Sequence, residues 1–85
     1  MAKKVIKFYA NWCGPCKAYA PIFEEVTKDL EGFEVINVNL DEDTDGLAAE
    51  YNVSSIPHTV MVSDKGAKKH FTGLMSGQEL KKFLV

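Results

Sequence analysis

Hydrophobic and polar positions follow two different periods in the first half of the chain. "VIKFYA", residues 5–10, is rich in β-branched and aromatic residues and predicts a strand. Apolar residues then recur every three or four positions, which predicts a helix with one apolar face that stops near Gly32. These residues are Tyr19, Ile22, Phe23, Val26 and Leu30. "FEVINVNL", residues 33–40, predicts a second strand, parallel to the first because a helix connects them by a right-handed crossover.

A second helix and a hairpin are predicted next. Asp43 or Thr44 is a candidate cap for a helix that runs to about Tyr51. "HTVMVS", residues 58–63, and "AKKHFT", residues 67–72, predict two strands, and the turn residues "DKG" between them make the pair antiparallel.

The last element is a helix that begins with a capping box. Ser76 precedes Glu79 by three residues, and the following apolar residues Leu80, Phe83 and Leu84 are spaced to face a core. The element order βαβαββα predicts an α/β fold with a four-stranded mixed sheet flanked by three helices. We expect one domain, residues 1–85, because a chain of 85 residues supports a single core.

Composition and charge narrow the range of partners. The net charge of −2 gives no electrostatic reason to expect binding to nucleic acid. No apolar run approaches the roughly 20 residues that span a membrane. We therefore expect a cytoplasmic monomer. Stable structural disulfides are rare in that compartment, so a close cysteine pair there is typically catalytic or metal-binding.

The two cysteines of the chain lie in "NWCGPCKAYAPIF", residues 11–23. Cys13 falls where the first strand ends and the helix begins, and Pro15 suits the first helical turn. Unpaired N–H groups and the helix dipole stabilise a thiolate there, so we expect the pKa of Cys13 to fall. Cys16 follows one turn later on the same face, after Gly14 and Pro15, and can form a disulfide with Cys13. The pair can then cycle by thiol–disulfide exchange.

Two other roles for the cysteine pair fit the sequence less well. A structural zinc site needs four ligands, and only His58 and His70 remain, twelve residues apart. A purely structural disulfide gains little stability from closing so short a loop. We therefore expect no metal site, and redox chemistry is the favoured interpretation.

Three segments together resemble the thioredoxin family. "WCGPC", residues 12–16, is similar to its active-site sequence, "SIPH", residues 55–58, resembles its cis-proline segment, and "FTGLMSGQELKKFL", residues 71–84, resembles its glycine and final helix. The resemblance covers nearly the whole chain and implies a short thioredoxin that lacks the strand and helix preceding this unit in ordinary members.

The resemblance also implies roles for individual residues. Cys13 is the expected nucleophile, Cys16 the resolving thiol, and Pro57 a cis residue that faces the two sulfurs. The substrate groove of the family would fall on five positions of this chain: Trp12, Ile56, Pro57, Gly73 and Leu74.

Two positions depart from the family pattern. Lys7 stands where thioredoxins usually have a buried aspartate, and Asn37 stands where its partner lysine is expected. Lys7 could favour the Cys16 thiolate or accept its proton, or it could extend to the rim of the sheet with its stem packed. His58 follows the proline and either modulates the thiolate or is a partly exposed strand residue. His70 is expected at the surface of an edge strand.

The activity implied by the resemblance is dithiol–disulfide oxidoreduction of protein disulfides, as part of cellular electron transport and redox homeostasis. It requires no bound cofactor beyond the Cys13–Cys16 redox disulfide, and a thioredoxin reductase is the expected electron donor. Two alternatives stay open. One is a glutaredoxin-like protein recharged by glutathione, and the other is a docking subunit that uses the same groove without redox turnover.

Overall fold

A computed structural model describes residues 3–85, and its element order is the predicted one. The strands are β1 (Lys3–Tyr9), β2 (Phe33–Asn39), β3 (His58–Val62) and β4 (Lys68–Thr72). The helices are α1 (Gly14–Thr27), α2 (Leu47–Glu50) and α3 (Gly77–Phe83), with a 3₁₀ helix at Leu40–Glu42. This arrangement confirms the α/β fold with a mixed four-stranded sheet and three helices.

The sheet has the strand order β2–β1–β3–β4, so β1 and β3 are central. β1 pairs in parallel with β2, and both the β1–β3 and β3–β4 pairs are antiparallel. In this register Lys7 lies beside Asn37 on one side and Thr59 on the other. His58 lies beside Thr72. The predicted parallel pairing of β1 with β2 and the antiparallel hairpin of β3 with β4 are both confirmed.

Apolar residues cover both faces of the sheet, because side chains alternate along each strand. On one face, α1 and α3 pack in a cluster of Val5, Tyr19, Phe23, Met61, Met75, Leu80 and Leu84. On the other face, the segment around α2 packs in a cluster of Ile6, Phe8, Val38, Tyr51 and Val60. On the face covered by α1 and α3, Tyr19 and Thr59 are fully buried, and their hydroxyls are joined by a 2.8 Å hydrogen bond.

α1 ends earlier than the sequence pattern indicates. The helix stops at Thr27, whose hydroxyl donates to the carbonyl of Phe23 at 2.7 Å. Leu30 still packs against the core, but from the connecting turn, and Gly32 adopts a positive φ of 81° just before β2. The apolar spacing therefore identified the buried residues correctly and placed the helix end too late, because a residue in a turn can face the core as well.

The second helix is also shorter than predicted. α2 covers only Leu47–Glu50, and Gly46 at its start has a φ of 69°. Asp43 nevertheless serves this helix, since its carboxylate accepts the N–H groups of Leu47 and Ala48 at 2.9 Å each. The 3₁₀ helix before it was not predicted.

α3 begins with the predicted capping box. The Ser76 hydroxyl accepts the N–H of Glu79 at 3.2 Å, and the Glu79 carboxylate accepts the N–H of Ser76 at 2.9 Å. These hydrogen bonds to Ser76 lower the pKa of Glu79.

Candidate active site

The cysteine pair lies at the N-terminus of α1. Cys13 is the N-cap residue, and its Cα lies 5.2 Å from that of Cys16, to which it is joined by a disulfide. The Sγ of Cys13 accepts the backbone N–H of Cys16 at 3.2 Å. Cys13 is 7% exposed and Cys16 is 3% exposed, while Gly14 and Pro15 between them are exposed. Cys13 is therefore the more exposed of the two cysteines.

The segment before β3 supplies the second part of the site. The Ile56–Pro57 peptide bond is cis, as the resemblance implied. The carbonyl oxygen of Ile56 lies 3.9 Å from the Sγ of Cys13, and its side chain packs against Ala10 and both cysteines. Pro57 itself is almost fully buried. Ile56 thus contacts the sulfur of Cys13.

The end of β4 supplies the third part. The N–H of Gly73 donates to the carbonyl of Pro57 at 2.8 Å, and its φ of 109° is one that side chains rarely adopt. Leu74, the next residue, is 43% exposed, and Trp12, which precedes Cys13, is 69% exposed. The exposure of these two large side chains shows that they are not core residues.

Lys7 is buried on the same face of the sheet as α1. It is 7% exposed, and its Nζ lies 5.1 Å from the ring centroids of both Tyr9 and Phe23. Burial lowers the pKa of Lys7 below its ordinary value of 10.5, and the negative charge of Glu24 partly opposes this effect. Lys7 and Cys16 both line a cleft of about 800 Å³ between α1 and the β1–β2 edge.

His58 is buried, so its interpretation as a partly exposed strand residue was wrong. It is 6% exposed, and its ring packs against Phe8 with the ring centroids 6.3 Å apart. Its Nδ1 lies 2.9 Å from the Thr72 hydroxyl, and its Nε2 lies 3.0 Å from Nδ1 of His70. Burial lowers the pKa of His58, and the neighbouring His70 lowers it further. His70 is exposed on the edge strand, as predicted.

Sequence reasoning missed two contacts around this site. The Nε1 of Trp12 approaches the Asp41 carboxylate at 3.5 Å, across 29 positions of sequence, and no local signal marks this pair. The contact of His58 with His70 was detectable in principle. Once the turn at residues 64–66 fixes the hairpin register, His58 falls opposite Thr72, and His70 follows on the same face.

Residues 3–85 contain neither a cluster of metal ligands nor a membrane-spanning helix. That part of the chain contains no group of three or more His, Cys, Asp or Glu side chains arranged to hold a metal ion. None of its helices has the length and apolar character needed to cross a membrane.

Comparison with known proteins identifies the family of this chain. The family model for thioredoxin matches residues 1–85. A thioredoxin of Mycoplasmoides gallisepticum is 39% identical over 82 residues, which are 96% of this chain and 81% of that protein. A thioredoxin of Pseudomonas aeruginosa is 35% identical over 81 residues, which are 94% of this chain and 74% of that protein.

Solved structures show the same fold. The X-ray structure of Fasciola hepatica thioredoxin superposes with a TM-score of 0.85 at 30% identity, covering 98% of this chain and 78% of the other. Mitochondrial thioredoxin 3 from Saccharomyces cerevisiae, in its oxidised form, superposes with a TM-score of 0.84 at 30% identity, covering 96% of this chain and 76% of the other.

Proposed function

The chain belongs to the thioredoxin family and is a dithiol–disulfide oxidoreductase, and on that premise we propose that it reduces protein disulfides through a nucleophilic Cys13 and a resolving Cys16. One observation carries the proposal. Cys13 caps α1 with its Sγ on a backbone N–H, while Cys16 lies one turn inside, within disulfide distance. We place this activity in a single thioredoxin-like domain, residues 1–85.

The reaction balances over two exchanges. The Cys13 thiolate, stabilised by the helix N-terminus, attacks one sulfur of the substrate disulfide and displaces the other as a thiolate. The Cys16 thiol then loses its proton and attacks the Sγ of Cys13. This second exchange forms the Cys13–Cys16 disulfide and releases the remaining substrate sulfur. Two electrons pass to the substrate, whose two sulfurs leave as thiolates and take up protons from solution, and the oxidised protein that remains is the state seen here.

The test uses reduction of insulin disulfides with dithiothreitol as electron donor. We expect the Cys13→Ser variant to be inactive because it lacks the nucleophile. The Cys16→Ser variant should accumulate a mixed disulfide between Cys13 and the substrate, because nothing releases it. A mixed disulfide that forms through Cys16 in the Cys13→Ser variant instead would contradict the assigned roles.

The substrate groove is proposed to lie across Trp12, Ile56, Pro57, Gly73 and Leu74. Its support is the contact of Ile56 with the Cys13 sulfur and the exposure of the large side chains of Trp12 and Leu74. An extended substrate chain would bind there by main-chain pairing with apolar contacts at its sides. Gly14 and Pro15 leave the approach to Cys13 open, since a Cβ built on Gly14 meets nothing within 4 Å.

Lys7 is proposed to take up the proton of Cys16 during the second exchange. The support is that both residues line one cleft and that burial favours the neutral amine, which is the form able to accept a proton. Proton transfer leaves an ammonium beside the new Cys16 thiolate, and the positive charge stabilises that thiolate. The packing of Lys7 against Tyr9 and Phe23 fixes the Nζ in the cleft.

The Lys7→Met variant tests this role. We expect the release of a preformed Cys13 mixed disulfide to slow at neutral pH by about a hundredfold, the lower end for general acid–base effects, and to speed up with rising pH as Cys16 ionises unaided. Lys4→Met is the matched control, because Lys4 lies on the same strand and is exposed. An unchanged pH profile in Lys7→Met would eliminate the proposed role.

The electron donor is proposed to be a thioredoxin reductase, and the protein is proposed to work as a cytoplasmic monomer. The support is the family, in which protein disulfides are the substrates. An NADPH-coupled assay compares thioredoxin reductase with glutathione plus glutathione reductase. Faster turnover with the glutathione system would instead favour the glutaredoxin-like alternative. Full biological activity of a Cys13→Ser, Cys16→Ser double variant would favour the docking subunit.

A further inference from the structure

Three polar side chains, Thr72, His58 and His70, form a hydrogen-bonded network between β3 and the edge strand β4. The Thr72 hydroxyl lies 2.9 Å from Nδ1 of His58, and Nε2 of His58 lies 3.0 Å from Nδ1 of His70. The two imidazole ring centroids are 5.2 Å apart. His58 is 6% exposed, so these partners replace water at both of its ring nitrogens.

The geometry of this network limits how many protons the two imidazole rings can hold. A neutral imidazole has one donor nitrogen and one acceptor nitrogen. When both rings are neutral, one proton lies between Nε2 of His58 and Nδ1 of His70, and either ring can hold it. A first proton added to this neutral pair fits on Nε2 of the exposed His70. A second added proton places two N–H groups face to face at 3.0 Å, where neither can accept, and the contact must open.

This network is directly connected to the proposed groove. Thr72 precedes Gly73, whose N–H donates to the carbonyl of Pro57 at 2.8 Å. Pro57 in turn precedes His58 and follows Ile56, whose carbonyl lies 3.9 Å from the Sγ of Cys13. The two segments proposed to flank the substrate are therefore joined by one main-chain hydrogen bond and, one residue further, by the His58–Thr72 pair.

We propose that His58, held by Thr72 and His70, is a positioning residue that keeps the Ile56–Pro57 and Gly73–Leu74 segments in register for an extended substrate chain, and that protonation of both histidines releases this register. This inference rests on the proposed function, since it assigns a regulation to the same groove. His58 acts through the backbone of its neighbours and does not contact the sulfurs.

The surroundings of His58 oppose a charge on its ring. β1 contributes Phe8, which is its register partner and does not titrate. β4 contributes His70 and, two residues before it, Lys68, whose Nζ lies 5.4 Å from the ring centroid of Tyr51 at the end of α2. Burial and the neighbouring His70 both lower the pKa of His58. We therefore expect the hydrogen bonds among Thr72, His58 and His70 to be intact at neutral pH.

The experiment compares two disulfides that present the same reacting bond. One is a short uncharged peptide whose single cysteine is capped with mercaptoethanol, and the other is hydroxyethyl disulfide, which is too small to occupy the groove. Ionisation of Cys13 affects both reactions alike, so the ratio of their rate constants isolates binding in the groove. In the wild type we expect the ratio of peptide to small disulfide to fall about fivefold between about pH 7.5 and about pH 5, the size of one hydrogen bond's contribution.

The variant His70→Asn removes the second charge and retains a side-chain acceptor for Nε2 of His58, so its ratio should change less than about twofold over the same range. Lys68→Gln is the matched control on the same strand and should behave like the wild type. A wild-type ratio that does not change with pH, or an equal fall in His70→Asn, would overturn the proposal.

A second readout does not depend on redox activity. The amide resonances of Gly73 and Leu74 should shift with the second protonation of the histidine pair in the wild type, and not in His70→Asn. Amides that do not respond to the histidines would overturn the positioning role, whatever the kinetics show. If the amides respond and neither disulfide is reduced, the positioning role stands and the proposed function fails.

Discussion

Lys7 and His58 show how the surroundings of a single residue determine its chemistry. Both are ionisable, both are less than a tenth exposed, and both lie on central strands, where side chains from other elements enclose them. Burial lowers the pKa of each, because a low-dielectric environment disfavours a positive charge. Each therefore has access to its neutral form at a lower pH than an exposed residue of the same type.

Lys7 should cost the protein stability at neutral pH. Its folded-state pKa lies below 10.5, so the unfolded chain binds the lysine proton more tightly than the folded chain does. The free energy of unfolding contributed by Lys7 therefore rises as the pH rises from the folded-state pKa toward 10.5, and the cost is fully present below that range. We expect Lys7→Met to raise the free energy of unfolding by about 1 kcal/mol at neutral pH, since it removes an amine whose charged form burial disfavours and keeps an apolar stem.

Urea unfolding of the oxidised protein measures this effect. The advantage of Lys7→Met over the wild type should shrink as the pH rises toward 10.5, while the exposed Lys4→Met control shows little difference at any pH. A loss of stability in Lys7→Met at neutral pH would show instead that the contacts of the ammonium with Tyr9 and Phe23 outweigh its desolvation.

At the scale of the element, end signals differ in how well they specify a boundary. α3 begins where the sequence predicts, because Ser76 and Glu79 satisfy each other's backbone N–H groups within one turn. α1 ends before its apolar pattern does, and α2 is reduced to four residues after a 3₁₀ helix. A capping box is a local interaction, whereas an apolar pattern reports only which residues face the core.

The Ser76→Ala variant tests the importance of the cap. Removing the hydroxyl leaves the N–H of Glu79 without its acceptor, so we expect a loss of about 1 kcal/mol in the free energy of unfolding. Exposed Ser54→Ala is the control and should be close to neutral. A cost for Ser76→Ala no larger than that of Ser54→Ala would show that α3 is held by the packing of Leu80 and Leu84 alone.

At the scale of the whole molecule, the sheet order places the cysteines and the cis-proline segment at the ends of the two central strands and leaves two strand edges open. β1 and β3 are central and carry the segments that lead to Cys13 and Pro57, while β2 and β4 are the edges. β4 is exposed along its length and carries Lys68 and Lys69. Charged side chains, lysine above all, discourage an edge strand from pairing with another chain.

We expect the wild type to sediment as a monomer of 9.5 kDa and the variant Lys68→Thr, Lys69→Thr to self-associate, because threonine favours strand pairing and removes the repulsion. The control Lys81→Gln, Lys82→Gln loses the same charge from exposed positions of α3 and should remain monomeric. Equal association of the two double variants would show that net charge, not the edge strand, keeps the molecules apart.

The sequence alone determined the kinds of element and their order, and it placed Cys13 at a helix start. These features follow from the periodicity of neighbouring side chains and from the backbone restrictions of glycine and proline, which act over a few residues. The resemblance of residues 12–16, 55–58 and 71–84 to a family added the activity and an expected groove, which the sequence patterns themselves do not contain.

Only the tertiary structure decided where the helices end, how deeply Lys7 and His58 are buried, and which distant residues meet. Ile56 contacts the sulfur of Cys13 across 43 positions, and Trp12 approaches Asp41 across 29. Burial and electrostatic environment depend on what packs against a residue from other strands and helices, so no local window of the sequence contains that information.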